Sequence, residues 1–124
     1  MMRSEEAKLE ELRHRLSEIG DLGAAGAVLV WDQSTYMPAG GAPARARQGA
    51  TLSRLAHQKA VDPALGKLID SLAPYAASLP YESDAASLIR VAKRDFEKAI
   101  KVPAEHRNIA RWYAEVSAWP SAKA

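Results

Sequence analysis

The segment Trp31-Asp32-Gln33-Ser34-Thr35-Tyr36-Met37-Pro38, with Gly40-Gly41-Ala42-Pro43-Ala44-Arg45-Ala46 close behind it, determines how this chain is divided. Proline disfavours a helical conformation of the residue before it, so Pro38 predicts the end of a helix. The glycine pair then predicts a loop. Pro43 suits the first turn of a new helix, where its missing N–H has no intrahelical partner to lose. The segment therefore predicts a helix, a loop and another helix.

Upstream of this segment, the sequence predicts an antiparallel helical hairpin. Ser4 provides an N-cap for a helix that ends near residue 19, and this helix carries an apolar stripe with helical spacing: Leu9, Leu12, Leu16 and Ile19. Gly20 suits the left-handed position that ends many helices, and Asp21 offers the N-cap of a second helix at about 22–31. This second helix is rich in alanine and glycine, which allow close approach, so we expect it to be the most buried element.

Downstream of the segment, proline and cap residues predict further helices. One runs from Pro43 to about residue 60, and the next is capped by Asp62, with Pro63 at its first helical position. Pro74 then begins a second loop, which continues to Tyr81.

Two more helices are predicted after that loop. Ser83 or Asp84 starts the longer one, and Pro103 starts a final helix with an apolar stripe of its own: Ile109, Trp112, Tyr113 and Val116. No segment alternates apolar and polar residues over the length of a strand. The predicted fold class is therefore all-α, with about six helices.

Composition narrows the class of protein. The chain has 124 residues, enough for a single domain with one modest core. It contains no cysteine, which excludes disulfides, thiolate metal sites and a cysteine nucleophile. The polar N-terminus predicts no signal peptide, and no apolar run approaches the roughly 20 residues needed to cross a bilayer. We therefore expect a cytoplasmic protein without a membrane partner.

The charge pattern does not favour nucleic-acid binding. The net charge is only +2, from 17 basic and 15 acidic side chains. Asp95 and Glu97 interrupt the best basic stripe, which consists of Arg90, Lys93, Arg94, Lys98 and Lys101. A nucleic-acid module usually has a clustered basic face, so this stripe is interpreted as a solvated helix surface.

The residue types that carry catalysis are sparse. His14, His57 and His106 are far apart in sequence, and none has a metal-ligand spacing. A zinc peptidase normally presents a His-Glu-x-x-His helix, with two imidazoles on one face and a glutamate as general base. The chain has no such motif, no glycine-rich phosphate loop and no nucleophile elbow.

The Trp31–Pro38 segment, the Gly40–Ala42 loop and Arg45-Ala46 resemble the N-terminal region of the carboxypeptidase Taq family, a group of metal-dependent carboxypeptidases. Other stretches agree with the family in order and spacing: Leu12–Leu22, Leu52–His57, Asp62–Gly66, Arg94–Ala99 and Lys101–Pro103. The resemblance covers about residues 5 to 105, and the pattern fades beyond that point. It predicts an N-terminal helical region at 1–105 and a divergent helical tail at 106–124.

The resemblance implies a helical fold related to the larger zincin peptidases, with a metal ion, usually zinc or cobalt, at the base of a deep cleft. It also implies release of residues from the C-terminus of a peptide. The family's metal ligands and general base lie on a His-Glu-x-x-His helix and a later glutamate, and no position of this chain matches them. We therefore assign no catalytic, cofactor-binding or metal-ligating residue, and we expect peptide binding only in a full-length context.

Five residues of the segment are candidates for a structural corner or for a wall of the substrate cleft: Trp31, Asp32, Tyr36, Met37 and Arg45. In the first interpretation, Asp32 accepts hydrogen bonds from Arg45 or from loop amides, and the two aromatic residues and Met37 fill a core. In the second, Arg45 or Arg47 faces a peptide carboxylate. The corner is the favoured interpretation.

Three functions are compatible with the sequence. The first is the N-terminal portion of a metallocarboxypeptidase, inactive alone. The second is a stand-alone helical interaction or dimerisation module derived from that peptidase, and the third is a split enzyme whose metal-binding part is another polypeptide. Helices that evolved to pack on a catalytic core would expose apolar surface. The expected partner is therefore a second copy of the chain or the missing catalytic portion.

Overall fold

The computed structural model describes residues 4–101, which form four α-helices: α1 (Glu5–Thr35), α2 (Ala42–Ala60), α3 (Pro63–Ser78) and α4 (Asp84–Lys101). Within this range there is no β-strand, so the prediction of an all-α fold is confirmed. The same range contains no helix that is long and apolar enough to span a membrane. The final helix predicted from Pro103 lies outside the described residues.

The prediction of an N-terminal hairpin, and with it the count of about six helices, is wrong for the described residues. Helix α1 continues through Gly20 and Asp21, so the two predicted helices are one helix of 31 residues. A glycine inside a helix costs about 1 kcal/mol relative to alanine. Nucleating a new helix costs about 4 kcal/mol. Continuing the existing hydrogen-bond ladder is therefore cheaper than breaking it at Gly20.

The described residues fall into two compact units, of which the first combines residues 4–19 and 57–101. Its core consists of large apolar side chains from α1, α3 and α4: Leu9, Leu12, Leu65, Leu68, Ile69, Leu72, Ile89 and Ala92. The stripe predicted for the start of α1 supplies the first two of these, and Leu16 and Ile19 pack against the cluster. Ser4 caps this helix as predicted, because its Oγ accepts a hydrogen bond from the Ala7 N–H at 3.1 Å.

Helix α3 begins as predicted but ends later. The Asp62 carboxylate accepts a hydrogen bond from the Ala64 N–H at 2.9 Å, and Pro63 occupies the first helical position. The helix then runs through Pro74 to Ser78, although the sequence predicts a loop from Pro74 onward. Pro74 and Asp70, one turn earlier, are both exposed, so water can satisfy the carbonyl that loses its hydrogen bond. The buried Leu72 holds the opposite side in the core.

Helices α3 and α4 pack closely at Gly66. A Cβ atom built on Gly66 would lie 2.7 Å from Cζ of Phe96, which is nearer than real Cβ contacts occur. The absence of a side chain at Gly66 therefore admits the Phe96 ring against the backbone of α3. Two ion pairs also stabilise this unit, between Lys59 and Glu18 at 2.9 Å and between Arg15 and Asp62 at 3.6 Å.

The second unit contains residues 20–56, the second half of α1, the α1–α2 loop and most of α2. The alanine- and glycine-rich part of α1 was expected to be the most buried element, and this expectation is wrong. Val28 is 63% exposed and Trp31 is 59% exposed. Gln33, Met37 and Gly49 are buried instead. Small side chains permit close packing, but they bring little apolar area to drive it.

Candidate functional site

The α1–α2 loop is closed by backbone hydrogen bonds. The N–H groups of Tyr36 and Met37 both donate to the Asp32 carbonyl, at 2.9 and 2.8 Å. The Gly41 N–H donates to the Pro38 carbonyl at 3.0 Å, which completes a tight turn. Gly40 has φ 82° in this turn, a left-handed conformation that side chains other than glycine rarely adopt. The geometry of this turn therefore requires a glycine at position 40 of the predicted loop.

Gly41 and Met37 pack against each other inside the loop. A Cβ atom at Gly41 would lie 2.9 Å from Cγ of Met37 and 3.1 Å from the Pro38 carbonyl oxygen. Met37 is buried, as expected for a residue that fills the corner. The buried side chain of Met37 therefore occupies the space that a side chain at Gly41 would need.

An ion pair joins the end of α1 to the start of α2. Nη2 of Arg45 donates to Oδ2 of Asp32 at 2.5 Å. The sequence predicts either Arg45 or the loop amides as the hydrogen-bond donor to Asp32, and the donor in the structure is Arg45. Nη1 of Arg45 donates to Oε1 of Gln48 at 2.6 Å. Its Nε is buried and has no acceptor among the described residues. Two of its five N–H donors are therefore used within the chain, and these two contacts hold Arg45 in one orientation.

The aromatic residues of the segment do not fill a core, so this expectation is corrected. Trp31 is 59% exposed and Tyr36 is 75% exposed, while their ring centroids lie 5.5 Å apart with an interplanar angle of 57°. The contact between the two rings leaves most of each side chain exposed to solvent. With Val28 one turn earlier on α1, they form an exposed patch of large apolar side chains, which we call the aromatic patch.

An apolar groove of about 330 Å³ lies between the second half of α1 and the middle of α2. We call it the small-residue groove. Helix α1 contributes Leu22, Gly23, Gly26, Ala27 and Val30 to its lining, and α2 contributes Gly49, Leu52, Ser53 and Ala56. Cβ atoms built on Gly23 and Gly26 would meet nothing within 4 Å. The two glycines therefore leave open space in the groove.

The described residues do not fit a metal centre. Residues 4–101 contain no group of three His, Cys, Asp or Glu side chains close enough to hold a metal ion. His14 is exposed and lies 3.3 Å from Glu18, His57 is half-buried, and His106 is outside the described part of the chain. The metal expected for the family finds no ligand set in this range.

The basic stripe of α4 faces solvent. Each of its five members is exposed: Arg90, Lys93, Arg94, Lys98 and Lys101. Arg90 lies over the Tyr81 ring at 3.7 Å from its centroid and donates to the Tyr81 carbonyl, and Arg94 pairs with Asp95 at 3.4 Å. Two of the five basic side chains, Arg90 and Arg94, therefore already interact with residues of the same compact unit.

Two features of the site were missed from the sequence. Gln33 is 2% exposed, although an amide side chain between a charged residue and a serine gives no signal for burial. Gly49 is buried and lines the small-residue groove, as Gly23 and Gly26 of α1 do. Three glycines on two neighbouring helices could have indicated a groove, but their pairing depends on the loop geometry.

Comparison with known proteins gives a consistent family. The family described as carboxypeptidase Taq (M32) metallopeptidase matches residues 11–124. This match extends past residue 105, where the resemblance in the sequence fades. Thermostable carboxypeptidase 1 of Thermus thermophilus is 35% identical over 98 residues, which is 79% of this chain. Those residues are 19% of the Thermus protein, so the chain spans about a fifth of the length of this curated relative. No solved structure matches the chain. Because the family match covers nearly its whole length, the chain belongs to the carboxypeptidase Taq (M32) family of metallopeptidases.

Proposed function

We propose that this chain is the N-terminal helical portion of a metal-dependent carboxypeptidase that releases residues from the C-terminus of peptides. The observation that carries the proposal is the family match over residues 11–124. The identity of 35% to a thermostable carboxypeptidase supports the same reaction class. In this proposal the chain supplies helices around the substrate cleft, and the cytoplasm is its place of action.

The chemistry comes from residues outside these 124. The sequence contains no His-Glu-x-x-His motif, and the described residues contain no cluster suited to a metal. The proposed metal is zinc or cobalt, bound by a catalytic portion that is the main partner of this chain. We expect the chain alone to be inactive, and we expect peptide substrate to bind only when both portions are together.

In this proposal the corner at the α1–α2 loop is structural. Asp32 and Arg45 hold α1 to α2, and the buried Met37 fixes the loop. The orientation of Arg45 is set by two acceptors, which supports a role in shape rather than in carboxylate binding. Arg47 is exposed on the same helix and is the better candidate for a cation at the cleft wall.

The test is complementation between two polypeptides. This chain is co-expressed with the part of Thermus thermostable carboxypeptidase 1 that lies outside its matched segment. Release of the C-terminal residue from an N-blocked dipeptide is then measured with added zinc or cobalt. We expect no release from this chain alone and metal-dependent release from the pair. The Thermus protein's own matched segment, supplied in trans, is the positive control.

Two results would contradict the proposal. Metal-dependent release by this chain alone would place a catalytic site within it. Reconstitution by the Thermus segment, but not by this chain, would show that the chain does not perform the role of a peptidase N-terminal portion.

A further inference from the structure

A pocket of about 290 Å³ lies in the first compact unit, where the end of α3, the loop after it and α4 meet. Five residues line it: Ala76, Ala77, Leu79, Tyr81 and Arg90. Its volume is close to the lower end of the range of about 300–1,000 Å³ that is typical of small-molecule sites. Arg90 is the charged member of a lining that is otherwise largely apolar. We call this site the Arg90 pocket.

The guanidinium of Arg90 is held in place but has no carboxylate partner among residues 4–101. It stacks on the Tyr81 ring at 3.7 Å from the centroid, Nη1 donates to the Tyr81 carbonyl at 2.9 Å, and Nη2 donates to Oγ of Ser87 at 3.1 Å. These contacts use two of its five N–H donors, so three remain for a ligand. None of the ion pairs of the described residues includes Arg90. A carboxylate would supply the missing negative charge in a shape that suits a guanidinium.

The end of α3 provides hydrogen-bond acceptors beside the same pocket. The last carbonyls of an α-helix have no intrahelical donor, and they lie at the negative end of the helix dipole. The Ala76 carbonyl accepts a hydrogen bond from the Leu79 N–H at 3.2 Å, whereas the carbonyls of Ala77 and Ser78 accept none from the described residues. These two carbonyls can accept hydrogen bonds from an ammonium group. Their partial negative charge also disfavours a doubly charged anion such as phosphate.

We propose that the Arg90 pocket binds a free α-amino acid with an apolar side chain. The carboxylate of the amino acid pairs with Arg90, and its ammonium group pairs with the last carbonyls of α3. Its side chain contacts Ala76 and Leu79, which removes apolar area from water. Free amino acids are also the products of the reaction proposed above, so the ligand belongs to the product class of that reaction. The argument for binding uses only the residues of this chain.

NMR titration of the full chain with L-leucine tests the proposal. We expect saturable shifts of the backbone amides of Leu79 and Tyr81 and of the Arg90 Nε–H. Isocaproate has the carboxylate and branched chain of leucine without the ammonium group, and isoamylamine has the ammonium group without the carboxylate. Each analogue satisfies only one of the two charges, so both should bind more weakly than leucine. The absence of saturable shifts, or equal affinity for either analogue, would overturn the proposal.

Two pairs of variants test the roles of the charge and of the apolar wall. Arg90→Gln should weaken leucine binding by at least about tenfold, because charge-assisted hydrogen bonds are lost. Arg94→Gln is its control, since Arg94 is exposed on the same helix, does not line the pocket and pairs with Asp95. Ala77→Leu should also weaken binding by filling the pocket, whereas Ala73→Leu, on α3 but outside the pocket, should not. Equal effects of variant and control in either pair would overturn the proposal.

This experiment and the complementation test fail independently of each other. Leucine binding is measured on this chain alone, with no metal and no catalytic portion present. A chain that restores peptidase activity in trans but does not bind leucine would overturn the Arg90 pocket and leave the proposed function intact. A chain that binds leucine but does not restore activity would contradict the proposed function alone.

Discussion

The ion pair between Asp32 and Arg45 is a residue-scale feature that joins the end of α1 to the start of α2. The side chain of Asp32 is 31% exposed and that of Arg45 is 23% exposed, so the pair is neither fully buried nor fully solvated. Exposed pairs contribute up to about 1 kcal/mol, and removing one member of a buried pair costs about 3–5 kcal/mol. We expect Asp32→Ala to lower the free energy of unfolding by about 1–3 kcal/mol, measured by urea denaturation.

A nearby carboxylate provides the control for that change. Asp21 is exposed on the same helix, so Asp21→Ala removes the same charge without removing the contact to Arg45. We expect its effect on the free energy of unfolding to be within about 0.5 kcal/mol. Equal effects of the two substitutions would mean that the ion pair does not stabilise the corner.

At the residue scale, the lowered pKa of Glu18 makes the stability of the folded chain depend on pH. A hydrogen bond from Lys59, and then the Lys59 charge, hold the pKa of Glu18 below its ordinary value of 4.5. The folded-state pKa is thus below the unfolded-state pKa. The stabilising contribution of Glu18 is therefore present above the ordinary carboxyl range and is lost as the pH falls through the lowered pKa.

Titration of the Glu18 carboxyl carbon by NMR measures this directly. We expect a pKa below the ordinary value in the parent chain and a return toward that value in Lys59→Met. Lys67→Met is the control, because Lys67 is an exposed lysine of the same unit and is not among the causes that lower this pKa. A Glu18 pKa that is insensitive to Lys59 would contradict the interpretation.

At the scale of elements, the continuity of α1 through Gly20 can be tested by substitution. Gly20 is helical and a Cβ atom there would meet nothing within 4 Å, so alanine should fit without strain. We expect Gly20→Ala to raise the free energy of unfolding by about 0.5–1 kcal/mol, because alanine loses less backbone freedom on folding. Thermal denaturation followed by circular dichroism measures the change.

Gly40 is the matched contrast, because it has the left-handed conformation that Gly20 lacks. With φ 82°, Gly40→Ala should lower the free energy of unfolding by about 1–2 kcal/mol. A hairpin with a left-handed Gly20 would instead make both alanines destabilising. The sign of the Gly20 effect therefore distinguishes one long helix from two.

The difference between the predicted and observed elements has a definite origin. The start of α3 was predicted because Asp62 and Pro63 act locally, through a cap and a fixed φ angle. The continuity of α1 could not be predicted in this way, because a glycine such as Gly20 can either end a helix or lie within one. The prediction that α3 ends at Pro74 is wrong because the free-energy cost of a proline inside a helix depends on whether the carbonyl one turn earlier faces water.

The candidate site shows the same division between local and long-range information. The partner of Asp32 was among those considered from the sequence, because an aspartate and an arginine at the two ends of a short loop are natural partners. The exposure of Trp31 and Tyr36 was not foreseen, because burial depends on what packs against a side chain rather than on its hydrophobicity. Gln33 and Gly49 were missed for the same reason.

At the scale of the whole molecule, we propose that the aromatic patch is a surface that contacts a partner. Val28, Trp31 and Tyr36 are exposed by 63%, 59% and 75%, and contiguous apolar surface of this kind marks interaction sites. We expect the chain alone to self-associate as its concentration rises, measured by light scattering. Trp31→Ser combined with Tyr36→Ser should reduce this association.

Tyr81 provides the control for that experiment, because it is an exposed tyrosine of the other compact unit and its ring is already covered on one side by Arg90. Tyr81→Ser should leave the association unchanged. A chain that stays monomeric at every concentration would contradict the role given to the aromatic patch. Association unaffected by the double substitution would assign it to another surface.

The uneven surroundings of α1 have a consequence for how this helix opens. Its first half supplies Leu9 and Leu12 to a packed core, while Gly20, Gly23 and Gly26 follow within two turns and have open space around them. Local opening costs least where few side chains hold a helix in place. Backbone amides at 20–27 should therefore exchange with deuterium well before those at 8–16. One continuous helix would then unzip from its glycine-rich half while its leucine-rich half stays closed.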